Sequence, residues 1–367
     1  MILTIIVFLI ILGLLIFVHE FGHFISAKKA GIKVEEFGFG FPPRLFGIKR
    51  GETIYSINWI PLGGFVKIYG EDGKGKEDKK SFASRHIWQR AIILTAGVAM
   101  NFVLAALLLS IGFKLGLPQV LEGDEKNIKE VKIQLTQIVK NSPADRAGLK
   151  VGDEIIALNG KQIENIEEFQ KLTKKKAGKE IILQIKRLDE RNEIKITPRR
   201  HPPENEGALG VALAKTAIIS YPWYEALWRG ITMTFSITIL IIVTFYEIIK
   251  NLILGQPLAA ELAGPVGIAV LTHQATKMGF VYVLQFTALL SINLAIINIL
   301  PFPALDGGRL LFLAIEKIRK KPVDQKIENL IHTIGFALLI LLMVFVTFRD
   351  VTKFKDLFIN LWNKIAG

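Results

Sequence analysis

Apolar residues in this chain gather into long runs, and alternating patterns are confined to two regions between them. Residues 1–18 carry one polar side chain, Thr4. Residues 91–113, 282–300 and 331–348 approach the roughly 20 residues a helix needs to cross a bilayer. Residues 231–246 are fewer and include Thr232, Thr234, Ser236, Thr238 and Thr244, which predicts an interfacial or re-entrant helix. In the first alternating region, residues 37–41 alternate Phe with Gly before Pro42-Pro43. Residues 53–59 then read as a strand, and residues 61–68 as a turn entering another. In the second, strands are predicted over 131–139, 152–160, 180–187 and 193–198, with a helix start at 141–144 and a helix over 166–175.

Charge orients these runs. Residues 28–90 hold 13 Lys/Arg against 7 Asp/Glu, so the positive-inside rule predicts that this loop is cytoplasmic. Arg309, Lys317, Arg319, Lys320 and Lys321 mark a second inside loop, and the segment 114–281 is then predicted outside. A mean hydropathy of +0.39 is too high for an ordinary soluble protein and suits a polytopic membrane protein with one soluble insert. A net charge of +13 raises the question of nucleic acid, but the basic residues are scattered over loops beside apolar runs. They fit anionic lipid and topology, and no nucleic-acid partner is expected. No basic region precedes the first run and no small-residue cleavage site follows it, so it is read as a retained span rather than a signal peptide.

The chemistry begins where the first run ends, at His19-Glu20-Phe21-Gly22-His23. Residues four apart share a helix face, so His19 and His23 can direct two imidazoles at one zinc ion, while Glu20 is placed to take a proton from water held there. With no Cys in the chain, further ligands must come from His or carboxylates. A catalytic zinc usually has three protein ligands, and an acid at the end of a membrane helix is the informative candidate. Asp306 qualifies: Pro301 and Pro303 break the preceding helix, and Gly307 and Gly308 permit close approach. A helix crossing at 231–246 would put Asp306 some 30 Å from the histidines, across the bilayer, so that segment is predicted not to cross.

Together, the His-Glu-Phe-Gly-His sequence, Asn298-Ile299-Leu300-Pro301-Phe302-Pro303-Ala304-Leu305-Asp306-Gly307-Gly308, and the Ala-Gly-Leu, Gly-Asp-Glu-Ile-Ile and Asn-Gly signals of residues 147–160 resemble the site-2 protease family. Within it the chain resembles the bacterial regulator-of-sigma-E type, here with a single PDZ domain where better-known relatives carry two. The resemblance implies a zinc metalloendopeptidase holding one Zn2+ through His19, His23 and Asp306, with Glu20 as catalytic base. It further implies a substrate-contacting set of Asn298, Pro301, Pro303, Asn101, Gly63 and Gly64. Gly97-Val98 departs from the family's Gly-Pro ahead of Asn101. The implied substrate is a single-pass membrane protein, such as an anti-sigma factor or a remnant signal peptide. A site-1 protease would trim it first, and the PDZ domain would bind a peptide or C-terminus and gate entry. The implied setting is the bacterial cytoplasmic (inner) membrane, with the PDZ domain extracytoplasmic and the active site near the cytoplasmic side.

The expected fold is therefore a polytopic α-helical membrane protein with about four transmembrane helices. A small cytoplasmic-side β element and one α+β PDZ domain, inserted between the second and third spans, complete it. The expected segments are a first span over 1–30, a cytoplasmic β-bearing loop over 31–86, a second span over 87–115 and the PDZ domain over 116–203. They continue with a linker over 204–278 holding the interfacial or re-entrant helix 225–250, and a third span over 279–306. A cytoplasmic loop over 307–330, a fourth span over 331–350 and an amphipathic tail over 351–367 end the chain. Two other classes stay open on sequence grounds: a zinc transporter, which would want ligands along a path, and a PDZ-bearing membrane scaffold, which needs no metal.

Overall fold

The computed structural model describes residues 2–73, 75–120, 131–187, 190–203, 206–256 and 263–353. It divides into one unit of residues 1–112 with 223–367 and a second of residues 113–222. Most of the expected amphipathic tail, residues 354–367, lies outside the described residues.

The first apolar run and the His-Glu segment form one helix, α1 (Ile2–Lys29), because nothing in it breaks the ladder. It ends where Gly31 adopts φ 70°, with Gly31 N–H donating to Lys28 O and Ile32 N–H to Ala27 O. This paired closure satisfies the last carbonyls. Two long antiparallel strands follow, β1 (Val34–Arg50) and β2 (Thr53–Ile68), turning at Gly51. Their register shifts repeatedly, as bulges do when a ribbon bends. Phe41, Phe46, Ile57 and Trp59 stand exposed on this ribbon, while Phe37 and Tyr55 pack on Phe24 of α1. Helix α2 (Ile87–Leu115) completes this part, and Ile93 and Leu94 join Ala27, Val34, Ile68 and Phe82 in a buried cluster.

The second unit holds β3 (Leu117–Val120), β4 (Lys132–Ile138), α3 (Pro143–Arg146), β5 (Glu154–Leu158), β6 (Lys161–Gln162), α4 (Ile166–Lys175), β7 (Ile181–Arg187), β8 (Glu190–Ile196) and β9 (Val211–Ile219). Ser142 caps α3 and Asn165 caps α4, each accepting a backbone N–H three residues on. The sheet order is β3-β9-β4-β5-β7-β8, with β6 beside β5. Its alternating inward residues, Ile133, Leu135, Ile155, Ile181, Leu183 and Ile185, close over Phe169 of α4. The unit reaches past the expected 116–203, because β9 falls within the stretch read as linker. That strand forms by pairing with β4 and β3, partners far away in sequence.

In the first unit again, α5 (Trp223–Ile253) is one unbroken helix, so no enter-and-return path exists within it. The hydroxyls of Thr234, Thr238 and Thr244 each donate to the carbonyl four residues back, which removes their demand for an interface. Among the described residues five helices are long and apolar enough to cross a membrane: α1, α2, α5, α7 (Phe280–Ile299) and α9 (Gln325–Lys353). Helix α5 is the one beyond the four expected. Helix α6 (Pro265–Met278) precedes α7, and the Thr4 hydroxyl lies 2.7 Å from His273 Nδ1, so α6 touches the start of α1. The chain therefore passes back to the level of the α1 start before α7 begins. That is why a span-length α5 does not separate Asp306 from the histidines. The expected loop 307–330 contains α8 (Asp306–Arg319), an amphipathic helix with Asp306 as its first residue.

Candidate metal centre

One helical turn on α1 puts His19 and His23 on the same buried face, with ring centroids 4.8 Å apart. Their Nε2 atoms are 3.2 Å apart. Asp306 Oδ2 lies 3.0 Å from Nε2 of His19 and 3.3 Å from that of His23. The ends of two distant segments thus form a near-equilateral triangle of donor atoms. A tetrahedral zinc with bonds of ~2.0–2.1 Å spaces its ligand atoms by roughly 3.4 Å, close to these edges.

The outer partners fix the lone pairs. His23 Nδ1 donates to Ile93 O at 2.8 Å, which leaves Nε2 as an acceptor facing the triangle. The Asn101 amide lies 3.2 Å from His19 Nδ1, and Asn101 Oδ1 has no hydrogen bond among the described residues. Turning that amide gives Oδ1 the His19 Nδ1–H and satisfies both groups, since the two amide orientations are equivalent in shape. Asp306 Oδ2 is likewise buried without a hydrogen bond. Two imidazole nitrogens and a carboxylate oxygen gathered this closely suit a cation.

Small residues make room for this. A Cβ on Gly97 of α2 would stand 2.3 Å from His23 Nε2, and one on Gly22 would stand 2.4 Å from Ala96 O. A Cβ on Gly307 would meet the carbonyls of Leu300 and Ile299 at 2.2 and 2.3 Å. These glycines let α1, α2 and the turn before α8 approach closely enough for the donors to meet. Glu20 is positioned from outside the bundle: Val66 N–H on β2 donates to Glu20 Oε2 at 3.0 Å. The β ribbon therefore reaches the site and orients the carboxylate beside the triangle. Glu20, His23 and Asp306 border a cavity of about 480 Å³ that also includes Phe65, Arg309, His332 and Phe336.

The expected substrate-contacting residues are distributed otherwise. Asn101 is fully buried behind His19, and its backbone carbonyl accepts from Ser291 Oγ. Pro303 packs beneath Gly335 of α9, and Gly64 sits near the Glu20 methylenes. Gly63, at φ 109°, faces the Phe41 ring and Ile16. Asn298 is half-buried at the end of α7, and Pro301 is exposed. None of the six lines the cavity; their neighbours Phe65, Val66, Ala304 and Leu305 do. Sequence reasoning missed Gly97, the Val66 amide and His332. The last carried a signal, an ionisable residue inside an apolar run.

Comparison with known proteins places the chain in a family. The model of peptidase family M50 matches residues 7–342. This chain belongs to that family. It is 33% identical to the regulator of sigma-W protease RasP of Bacillus subtilis, over 95% of this chain and 98% of that protein. It is 37% identical to a putative zinc metalloprotease of Clostridium perfringens, over 92% and 95%. The PDZ domain of an SdrC-like protein from Listeria monocytogenes covers 24% of this chain and 92% of itself, with 18% identity and a TM-score of 0.21. As an M50 member with zinc metalloprotease relatives, the chain is a zinc metalloendopeptidase of the site-2 type, a multi-pass intramembrane protease.

Proposed function

We propose that this protease holds one zinc ion through His19, His23 and Asp306 and uses Glu20 as its base to cleave the transmembrane segment of single-pass membrane proteins. The observation that carries the reading is the triangle of two imidazole nitrogens and a carboxylate oxygen, all within 3.3 Å of one another, with Glu20 fixed beside it by a strand amide. When bound, zinc supplies Lewis-acid polarisation and acidified water. Glu20 takes the proton from the attacking water and returns it to the leaving nitrogen. Asn101 keeps the His19 ring in register, and Ile93 O does the same for His23. A substrate helix hides its carbonyls in its own ladder and must unwind to be cut. The β1–β2 ribbon, beside the cavity through Phe65 and Val66, is suited to pair with the extended form.

The inserted unit supports a screening role. A groove of about 480 Å³ runs between α4 and β9, floored by Phe169, Leu209, Val211 and Leu213. Along residues 211–215, the β9 edge away from β4 pairs with no strand among the described residues. A peptide or free C-terminus could add there as a strand. The substrates that fit are membrane proteins first trimmed by a site-1 protease, such as anti-sigma factors or remnant signal peptides, and a relative is named for sigma-W regulation. The setting is the bacterial cytoplasmic membrane, with residues 28–90 inside and the inserted unit outside.

The test is cleavage of a model membrane-spanning substrate by the purified chain in detergent. Cleavage should stop with a zinc chelator and return on adding zinc. Glu20→Gln should lose at least ~10³ in rate while keeping its zinc; turnover within about tenfold of wild type in that variant refutes the base. Val211→Arg in the groove should admit untrimmed substrate, and continued sparing of that substrate rejects the screening role.

A further inference from the structure

One polar atom at the cavity is used neither by the metal triangle nor by Glu20. His332, near the start of α9, borders the cavity together with Glu20, His23 and Asp306. It also borders an adjoining pocket of about 230 Å³ that includes Glu71, Arg90 and Arg309. Its Nδ1 lies 2.8 Å from the backbone N of Ala304. A backbone N–H can only donate, so Nδ1 accepts, and the neutral ring then carries its proton on Nε2. That Nε2–H is buried and has no acceptor among the described residues. Ring position is fixed on two sides. Phe312 packs at 5.5 Å between centroids, and Gly335, on the same helix, lies tight against Pro303. Ala304 itself is held at φ 76°, two residues before Asp306. Buried donors rarely lack acceptors, and one held rigidly at a reaction cavity implies an acceptor delivered by the ligand.

Resting on the protease reading above, we propose that His332 donates its Nε2–H to a backbone carbonyl of the unwound substrate. The chemistry requires such donors. A transmembrane segment drawn out of its helix presents carbonyls that have lost their partners four residues on. His332 is suited because its tautomer is set by Ala304, so the donor is in place before substrate arrives. It is a substrate-binding group and takes no part in the proton transfers of Glu20.

The test separates the two ring nitrogens. Asparagine places an acceptor near the Nδ1 position without the outer donor, and glutamine places a donor near the Nε2 position without the inner acceptor. Binding of an uncleaved membrane-spanning peptide is measured in the Glu20→Gln background, and KM and kcat in the active chain, with zinc content as the check of folding. His332→Asn should weaken binding and raise KM about tenfold, the size of a neutral hydrogen bond, with kcat within about twofold and full zinc. His332→Gln should bind within about threefold of wild type, with the loss falling on kcat through the loosened Ala304 turn. Unchanged binding by the Asn variant overturns the proposal, as does equal weakening by both. If the Asn variant does not fold, the Gln variant decides alone: near-normal binding supports the donor, and a tenfold loss overturns it. A wild-type chain that cleaves nothing sinks the protease reading instead, and a cleaving wild type with an unaltered Asn variant sinks only His332.

Discussion

The two units of this chain bury their interiors by different means. In the inserted unit the core is large aliphatics on alternating strand positions, Leu135, Ile181, Leu183 and Ile185, closed by Phe169. In the membrane unit, the positions around the metal triangle include Gly22, Gly97, Asn101 and Ser291, small or polar and buried. Water drives the first kind of core, since each strand gains by hiding its apolar face. Lipid is as apolar as leucine, so helices in a bilayer associate through close backbone approach and polar contacts, which small residues allow. The difference teaches where each unit is fragile: the inserted unit to lost volume, the membrane unit to added volume.

The largest effect expected from that contrast is at Gly97. Gly97→Ala puts a methyl against the His23 and His19 rings, which their partners Ile93 O and Asn101 hold in place. It should cost at least ~10² in cleavage along with zinc affinity, read by metal analysis and turnover. A fully active, zinc-replete Gly97→Ala would break the contrast. Next comes Leu183→Ala, which should destabilise the inserted unit by about 2–5 kcal/mol in denaturant unfolding, with zinc content unchanged. Asp153→Asn follows. Its carboxylate is 1% exposed and takes two bonds of 2.7 Å from Arg187 and one of 2.8 Å from Lys150 N–H. Losing the charge there should cost about 1.5–3 kcal/mol in the same measurement. The smallest is Gly160→Ala: nothing lies within 4 Å of the added methyl, and only the positive φ of 79° resists it. A loss of about 1 kcal/mol is expected, against a disabled site for the same added atom at Gly97.

How much could be read ahead of the structure follows the same division. The helix over 166–175 and the strands around 133, 155 and 183 were legible because their patterns are local: a cap, a period of two, a turn at Asn159-Gly160. Strand β9 was not, since Val211–Ile219 becomes a strand only by pairing with β3 and β4. Helix α8 was hidden because charge in 307–330 marked a loop, although Leu310, Leu313 and Glu316 sit at helical spacing. The threonines of α5 pointed to an interface, yet they are satisfied within their own helix.

The sequence by itself singled out the side chains proposed to carry the chemistry. A pair of histidines one turn apart with a glutamate between them, and an aspartate at the broken end of an apolar helix, are costly in a bilayer and have few structural uses. Tertiary structure alone decided what holds them: Asn101 against His19, the Ile93 carbonyl against His23, the Val66 amide against Glu20 and Gly97 beneath both rings. Those contacts depend on how helices rotate and at what height they cross. Periodicity along one chain segment specifies neither, because each is settled by packing against the others.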